Sequence, residues 1–161
     1  MNSQSAATVD GFAQQVGEIT ARIATRPLDE QLERELNTWF PVDGPDFQAL
    51  RAACLAGISA GWMCAREAGG IRFGRVIKPG ADTHGFSVDV VDMQPVAGPH
   101  HRHPNGEIDL VMPLEPGALF DGRGAGWLVY PPESAHRPTV TQGRALVLYL
   151  LPAGAIEFTK T

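Results

Sequence analysis

The chain contains 161 residues, of which 43% are hydrophobic and 19% are charged, a balance that predicts one folded globular unit and excludes a disordered chain. Its net charge of −5 at pH 7, without any block of lysine or arginine, argues against nucleic acid and acidic membrane surfaces as partners. Residues 1–15 show no signal peptide, and the most apolar run, residues 145–151, is too short to cross a bilayer, so we expect a cytoplasmic protein.

The N-terminal part of the chain carries apolar side chains at steps of three and four, the period of an amphipathic helix. One such stripe covers residues 9–23, a second covers residues 28–40, and a third begins near residue 44 and stops at Gly61. The sequence therefore predicts about three helices in an N-terminal segment, residues 1–60, that packs on the rest of the chain.

The chain has only two cysteines, Cys54 and Cys64. Cys54 lies on the apolar stripe of the third predicted helix, where a structural thiol is expected. Because no export signal is evident, we interpret both cysteines as buried free thiols, although the sequence alone leaves a disulfide between them open.

From residue 62 onward the pattern changes to short runs of β-branched and aromatic residues, separated by many of the 18 glycines and 13 prolines of the chain. Strands are predicted over residues 62–67, 71–78, 86–94, 98–103, 106–113, 125–130, 135–141 and 144–151, with a further strand at 155–159. This spacing predicts a mainly β sandwich or barrel over residues 61–161. Because residues 144–151 are apolar on both faces, one face should pack on the helices or on another subunit.

An arginine, Arg75, lies on the same face of a predicted strand as Ile71, Phe73 and Ile77. On such an apolar face its charge needs a partner. One interpretation is that Arg75 pairs with an internal carboxylate or that its face is the outside of the barrel. The other is that it binds the carboxylate of a substrate through two hydrogen bonds while Phe73 lines a pocket for the ring.

Three of the five histidines of the chain are clustered in the short stretch HHRH. His101 and His103 are two positions apart and therefore point to the same face of a strand, and the turn PNG that follows can bring Glu107 beside them. Two imidazoles and a carboxylate form an open site for a divalent metal ion, and His136, which begins another strand after a proline turn, is the natural fourth ligand. The alternative is a polar turn whose histidines only form hydrogen bonds.

The stretch HRHPNGE, residues 101–107, resembles the first motif of the cupins, in which H-x-H is followed after three residues by glutamate. PPESAH, residues 131–136, is similar to their second motif, in which a proline stands five positions before the last metal-binding histidine. The resemblance covers roughly residues 70–155 and implies a cupin-type double-stranded β-helix, or jelly-roll barrel, that holds a metal ion inside. The metal ligands that it implies are His101, His103, Glu107 and His136. Two departures from the motifs, Glu133 and the late Gly117, bear on loop geometry and not on a ligand position.

A longer pattern, which includes GWMCAREAGGIRFGRVIKPG and FSVDVVDMQPVAGPHHRHPNGEIDLVMP, resembles the bacterial 4-hydroxylaminobenzoate lyases over most of the chain beyond residue 39. This resemblance implies an enzyme of nitroaromatic degradation that converts 4-hydroxylaminobenzoate to protocatechuate with release of ammonia. It implies a small aromatic carboxylate as substrate and a divalent transition metal ion (Fe, Mn, Ni or Zn) as cofactor. Arg75 would then anchor the carboxylate, and Glu107 would be a ligand or an acid and base. The cupin resemblance also implies a homo-oligomer.

Two other functions stay open from the sequence. A cupin dioxygenase, or another iron-dependent oxygenase acting on a small aromatic acid, would use the same ligand set. A non-catalytic module would hold a small ligand in the barrel and a partner on its helices, although the chain has no DNA-reading segment and no basic run.

Overall fold

The structure is a computed structural model that describes residues 8–159. The N-terminal part of this range forms three α-helices, α1 (Val9–Ile23), α2 (Glu30–Trp39) and α3 (Pro45–Ala60), which confirms the predicted helices. Side-chain caps begin the first two, because Thr8 accepts a hydrogen bond from the N–H of Gly11 and Asp29 accepts one from the N–H of Leu32. Helix α3 ends at Gly61, whose φ of 90° is the left-handed conformation that glycine adopts without strain.

Twelve strands follow within the described residues. In chain order they are β1 (Arg66–Ala68), β2 (Ile71–Ile77), β3 (Phe86–Met93), β4 (Val96–Ala97), β5 (His101–His103), β6 (Glu107–Pro113), β7 (Leu119–Phe120), β8 (Gly126–Tyr130), β9 (Ser134–His136), β10 (Thr139–Thr141), β11 (Ala145–Pro152) and β12 (Glu157–Phe158). Six strands form a large sheet in the order β1-β2-β3-β11-β6-β8, and the others form two small sheets, β4-β10-β7 and β12-β5-β9. The predicted mainly β fold with helices in front of it is confirmed, and its sheets form an open sandwich and not one closed barrel.

The large sheet is covered on both faces, as the side chains of β11 show. Leu146 and Leu148 belong to a core that they share with helix residues such as Phe12. Val147, which points to the opposite face, belongs to a second core that includes Phe120 of a small sheet. The two apolar faces of β11 are therefore explained by helices on one side and by the small sheets on the other.

Two predicted strands are wrong in their extent. Of residues 62–67, only the last two fall in β1, because the N–H groups of Trp62 and Met63 donate to the carbonyl of Gly57 and continue the end of α3. The strand predicted over residues 135–141 is two strands, β9 and β10, which pair with different partners on either side of Pro138. The two-residue strands β4 and β7 are not predicted by the sequence at all.

Both cysteines are free and buried, which confirms their interpretation from the sequence. Burial raises the pKa of both thiols, that of Cys64 to about 12, so neither is a thiolate near neutral pH. Within residues 8–159, no helix has both the length and the apolar character that a membrane span requires.

Helix α2 covers the free edge of the large sheet at β8. The side-chain amide of Asn37 donates to the carbonyl of Trp127 at 3.0 Å and accepts from its N–H at 2.9 Å, as a neighbouring strand would do. Two residues farther along β8, the N–H of Val129 donates to Oε1 of Glu33 at 2.9 Å. Helix α2 therefore closes an edge that would otherwise be open to pairing with another chain.

Replacing Asn37 with alanine should lower the free energy of unfolding by about 1–3 kcal/mol, because two backbone groups of the buried Trp127 lose their partner. Thr38→Ala is the matched control, since the hydroxyl of Thr38 bonds only the carbonyl of Arg34 on the exposed surface. The control should change stability by less than about 0.5 kcal/mol. Urea unfolding followed by circular dichroism measures both variants, and equal losses would contradict the role given to Asn37.

Candidate metal centre

Two paired strands and one turn bring four polar side chains to one point. His101 and His103 lie on β5, which pairs with β9 so that His101 stands directly opposite His136. Between β5 and β6 the chain turns through Gly106, whose φ is 88°, and β6 begins with Glu107. The donor atoms of the four side chains all lie within 4.8 Å of one another. The residues that the sequence predicted to converge therefore do so.

Glu107 is at the centre of this group and has no exposed surface. Its Oε1 lies 3.4 Å from Nε2 of His101 and 3.2 Å from Nε2 of His103, and its Oε2 lies 3.6 Å from Nε2 of His136. His101 and His103 are also buried, whereas the side chain of His136 keeps 13% of its surface exposed. Three imidazoles thus present the same ring nitrogen to one carboxylate.

The opposite nitrogen, Nδ1, of each imidazole lies near a hydrogen-bond acceptor. These acceptors are the carbonyl of Pro99 for His101 (3.4 Å), Oγ of Ser134 for His103 (2.9 Å) and Oδ2 of Asp121 for His136 (2.6 Å). Ser134 accepts here because its own hydroxyl donates to the carbonyl of Pro131. In the neutral histidines Nδ1 therefore carries the proton, and each Nε2 offers a lone pair toward the centre.

This arrangement fits a cation. Nε2 of His103 and both carboxylate oxygens of Glu107 are buried and have no hydrogen-bond partner among the described residues. Nε2 of His101 and Nε2 of His136 lie only 3.2 Å apart. Buried polar atoms without a partner are costly, and a divalent ion is a partner that three imidazole nitrogens and a carboxylate can share. The four side chains could therefore hold a metal ion.

A second buried carboxylate, Asp109, lies two residues beyond Glu107 on the same face of β6. No described residue donates a hydrogen bond to either of its oxygens. Burial, and then the negative charge of Glu107, raise the pKa of Asp109 well above its usual range, which favours the protonated form of this carboxyl group. Burial also acts to raise the pKa of Glu107, but the three imidazoles, which donate to it when protonated, hold that pKa well below its usual range.

An apolar cavity of about 360 Å³ lies beside the centre, and His101 is part of its wall. Phe73 and Val91 line it from the large sheet, and Tyr149, also in the wall, has its ring centroid 6.5 Å from that of His101. Phe158 also lines the cavity, and its side chain is 67% exposed to solvent. A cavity of this size and lining can hold a small aromatic ring next to the candidate centre.

Arg75 also lines this cavity, and its charge is paired. Its Nε and Nη2 donate to the two carboxylate oxygens of Asp89 at 2.8 and 3.1 Å, and Nη2 also donates to the carbonyl of Gly154 at 3.3 Å. One interpretation of Arg75 from the sequence required an internal carboxylate as its partner, and that carboxylate is Asp89. One edge of the guanidinium is thus occupied, and Nη1 is the nitrogen left without a hydrogen bond to a described residue.

Sequence reasoning misses four polar residues of the site, which are Asp89, Asp121, Ser134 and Tyr149. Asp89 and Tyr149 stand in one row with Arg75 and Asp109, since these four are directly opposite one another on β2, β3, β11 and β6. Such a row can be recognised only when the order of the strands in the sheet is known. Asp121 belongs to the glycine-rich stretch DGRGAG, which signals a turn and gives no sign of a role in the site.

A family model and two named relatives agree on one family. Residues 14–158 match the family model described as 4-hydroxylaminobenzoate lyase (PnbB). A protein named 4-hydroxylaminobenzoate lyase from Pseudomonas putida is 31% identical over 155 residues, with 86% of this chain and 88% of that protein covered. A protein of the same name from Nocardioides sp. (strain LMS-CY) is 32% identical over 148 residues, with the same coverage of 86% and 88%. Among solved structures, an RmlC-like cupin protein from Ralstonia eutropha JMP134 is 10% identical, with a TM-score of 0.44 and coverage of 60% of this chain and 64% of that chain.

In the metal-free protein, the contribution of His136 to stability should be lost between pH 6.5 and about pH 9. Burial acts to lower the pKa of His136, but its hydrogen bond to Asp121 and the negative charges of the nearby carboxylates of Asp121 and Glu107 raise it from 6.5 to about 9. The folded state then binds a proton more tightly than the unfolded chain, so the stabilisation is complete below pH 6.5 and disappears as the pH rises through about 9. The full effect is on the order of 3 kcal/mol.

Thermal unfolding of the chelator-treated protein across this pH range measures how the stability of the folded state depends on pH. His136→Gln should flatten the pH dependence, because the glutamine side chain does not titrate. His84→Gln is the matched control, since His84 is exposed and bonds Thr20 away from the centre, and it should leave the dependence as in the wild type. A pH dependence that His136→Gln leaves intact would contradict the assignment.

Proposed function

The chain belongs to the 4-hydroxylaminobenzoate lyase family, and from this membership we propose that it is a metal-dependent lyase acting on 4-hydroxylaminobenzoate. The proposed reaction combines 4-hydroxylaminobenzoate with water and yields protocatechuate and ammonia. The N–O bond is cleaved, water supplies the one oxygen that the product gains, and the nitrogen leaves as ammonia, so the reaction needs no external oxidant. The observation that carries the proposal is the convergence of four donor side chains beside an apolar cavity.

The proposed metal ligands are His101, His103, Glu107 and His136. Three imidazoles and one carboxylate suit a divalent transition metal ion, and iron, manganese, nickel and zinc all accept such a set. When bound, the ion would supply a Lewis acid for the hydroxylamino oxygen and a water of lowered pKa. Glu107 is fully buried and does not line the cavity, whereas His101 does, which favours a ligand role for Glu107 over a direct acid–base role.

The cavity walls supply the contacts for the substrate. Phe73 and Val91 offer an apolar surface for the aromatic ring, and Tyr149 lines the same cavity with its ring near that of His101. Burial raises the pKa of Tyr149 well above its usual value, so its hydroxyl stays protonated and can donate a hydrogen bond to the substrate. Arg75 would anchor the carboxylate at the other end through Nη1, since Asp89 already occupies Nε and Nη2.

The first experiment is an anaerobic assay of ammonia and protocatechuate with protein of known metal content. We expect turnover of 4-hydroxylaminobenzoate without oxygen, and its loss in His101→Ala, which removes one metal ligand. His84→Ala is the control, because this exposed histidine lies outside the site. Product formation that requires oxygen would instead indicate an oxygenase with the same ligand set. Tight binding of the substrate without product under either condition would indicate a non-catalytic module.

Replacing Arg75 with alanine should raise KM for 4-hydroxylaminobenzoate roughly 10–100-fold, the loss expected for one charge-assisted hydrogen bond. The methyl ester of the substrate has no carboxylate charge and should be affected far less. Because Arg75→Ala also leaves Asp89 unpaired, the variant is combined with Asp89→Asn, which removes the orphan charge. Arg72→Ala, three positions earlier and on the other face of β2, is the matched control. Equal rises in KM for acid and ester would rule out an anchoring role.

A further inference from the structure

Asp121 joins three elements of the fold through one carboxylate. It lies in the loop between β7 and β8 with a φ of 51°, a left-handed conformation that is uncommon outside glycine and that Asp and Asn tolerate best. Its Oδ2 accepts a hydrogen bond from Nδ1 of His136 at 2.6 Å and another from the hydroxyl of Tyr130 at 2.6 Å. Its Oδ1 accepts from the N–H of Thr139 at 3.0 Å. The carboxylate is therefore held from three sides.

We propose that Asp121 is a positioning residue that fixes the imidazole of His136 for metal binding, an inference that rests on the proposed metal centre and not on the lyase reaction. The bond from Nδ1–H to Asp121 settles the tautomer of His136 and leaves Nε2 as the metal-binding atom. It also prevents rotation of the ring, since the acceptor is itself anchored to β8 and β10 by Tyr130 and Thr139.

His136 depends on such an anchor more than the other two histidines do. His101 and His103 lie within β5 with almost no exposed surface, so packing on all sides limits their rings. The side chain of His136 is 13% exposed and is therefore less confined by packing. The contact of its Nδ1 is the shortest of the three, at 2.6 Å compared with 3.4 Å in His101 and 2.9 Å in His103. A carboxylate acceptor also forms a stronger hydrogen bond than a carbonyl or a hydroxyl.

Tyr130 extends this support from the hydrogen bond to the ring itself. Its ring centroid lies 4.5 Å from that of His136 and 5.4 Å from that of His103. The hydroxyl that holds Asp121 and the ring that packs on two proposed ligands thus belong to one side chain. The loop from β7 to β8 is thereby connected to the centre, although no residue of that loop is a proposed ligand.

The test measures metal affinity directly, with zinc and a competing chromogenic chelator and without substrate. Asp121→Asn keeps the backbone conformation, because asparagine also tolerates a positive φ, and Asp121→Gly removes the side chain without strain. We expect zinc binding to weaken about 10–100-fold, more in Asp121→Gly than in Asp121→Asn. Tyr130→Phe, which removes one hydrogen bond to the carboxylate but leaves the contact with His136, should cost no more than about threefold.

A double-mutant cycle separates positioning from general damage to the fold. If Asp121 acts through His136, Asp121→Asn should cause no further loss of zinc affinity in a His136→Ala background. The visible spectrum of the cobalt-substituted protein should change in Asp121→Asn, while circular dichroism of the metal-free variant stays that of the wild type. Wild-type zinc affinity in Asp121→Asn, an equal loss in the His136→Ala background, or no zinc binding by the wild type would each overturn the inference. If only the lyase assay failed, the inference about Asp121 would still hold.

Discussion

Three imidazole nitrogens and two carboxylate oxygens face one largely buried point, and the rest of the fold must hold them there. Taking an ionised carboxylate such as Glu107 out of water is expensive unless a partner compensates for it. The pairing of β5 with β9, the tight turn at Gly106 and the contacts of Ser134 and Asp121 all act on these groups. The architecture between residues 97 and 139 is best understood as the support of this cluster.

The large sheet contributes to the site because its two faces have different tasks. The helices pack on one face with leucines and phenylalanines and supply an apolar core. The opposite face is therefore free to carry charged and polar residues across the strands, from Arg75 through Asp89 and Tyr149 to Asp109. The N-terminal helices thus support the site from the opposite face of the sheet.

The sequence predicted what depends on short-range periodicity. The helical stripes and the shared face of His101 and His103 follow from the periods of helix and strand, and the inclusion of His136 followed from its proline turn and from the motif resemblance. What depends on long-range pairing was missed. Strands of two residues have no period to detect, and Asp121 meets His136 only because the loop between β7 and β8 closes on the end of β9. The strand over residues 62–67 was wrong because the end of α3 competes for the same backbone groups. The homo-oligomer and the cytoplasmic location stay predictions.

The row from Arg75 to Asp109 has a consequence for how this sequence can change during evolution. Its members meet because four strands keep one register, and a shift of one residue in any strand would turn its side chain from this face of the sheet toward the helices. Single insertions or deletions within β2, β3, β11 or β6 should therefore be eliminated by selection, whereas changes of length in the connecting turns are tolerated. The bulge in β2 lies just beyond Arg75, where a change of register no longer disturbs the row. Relatives with altered substrates should accordingly differ in the identity of these residues and not in their spacing.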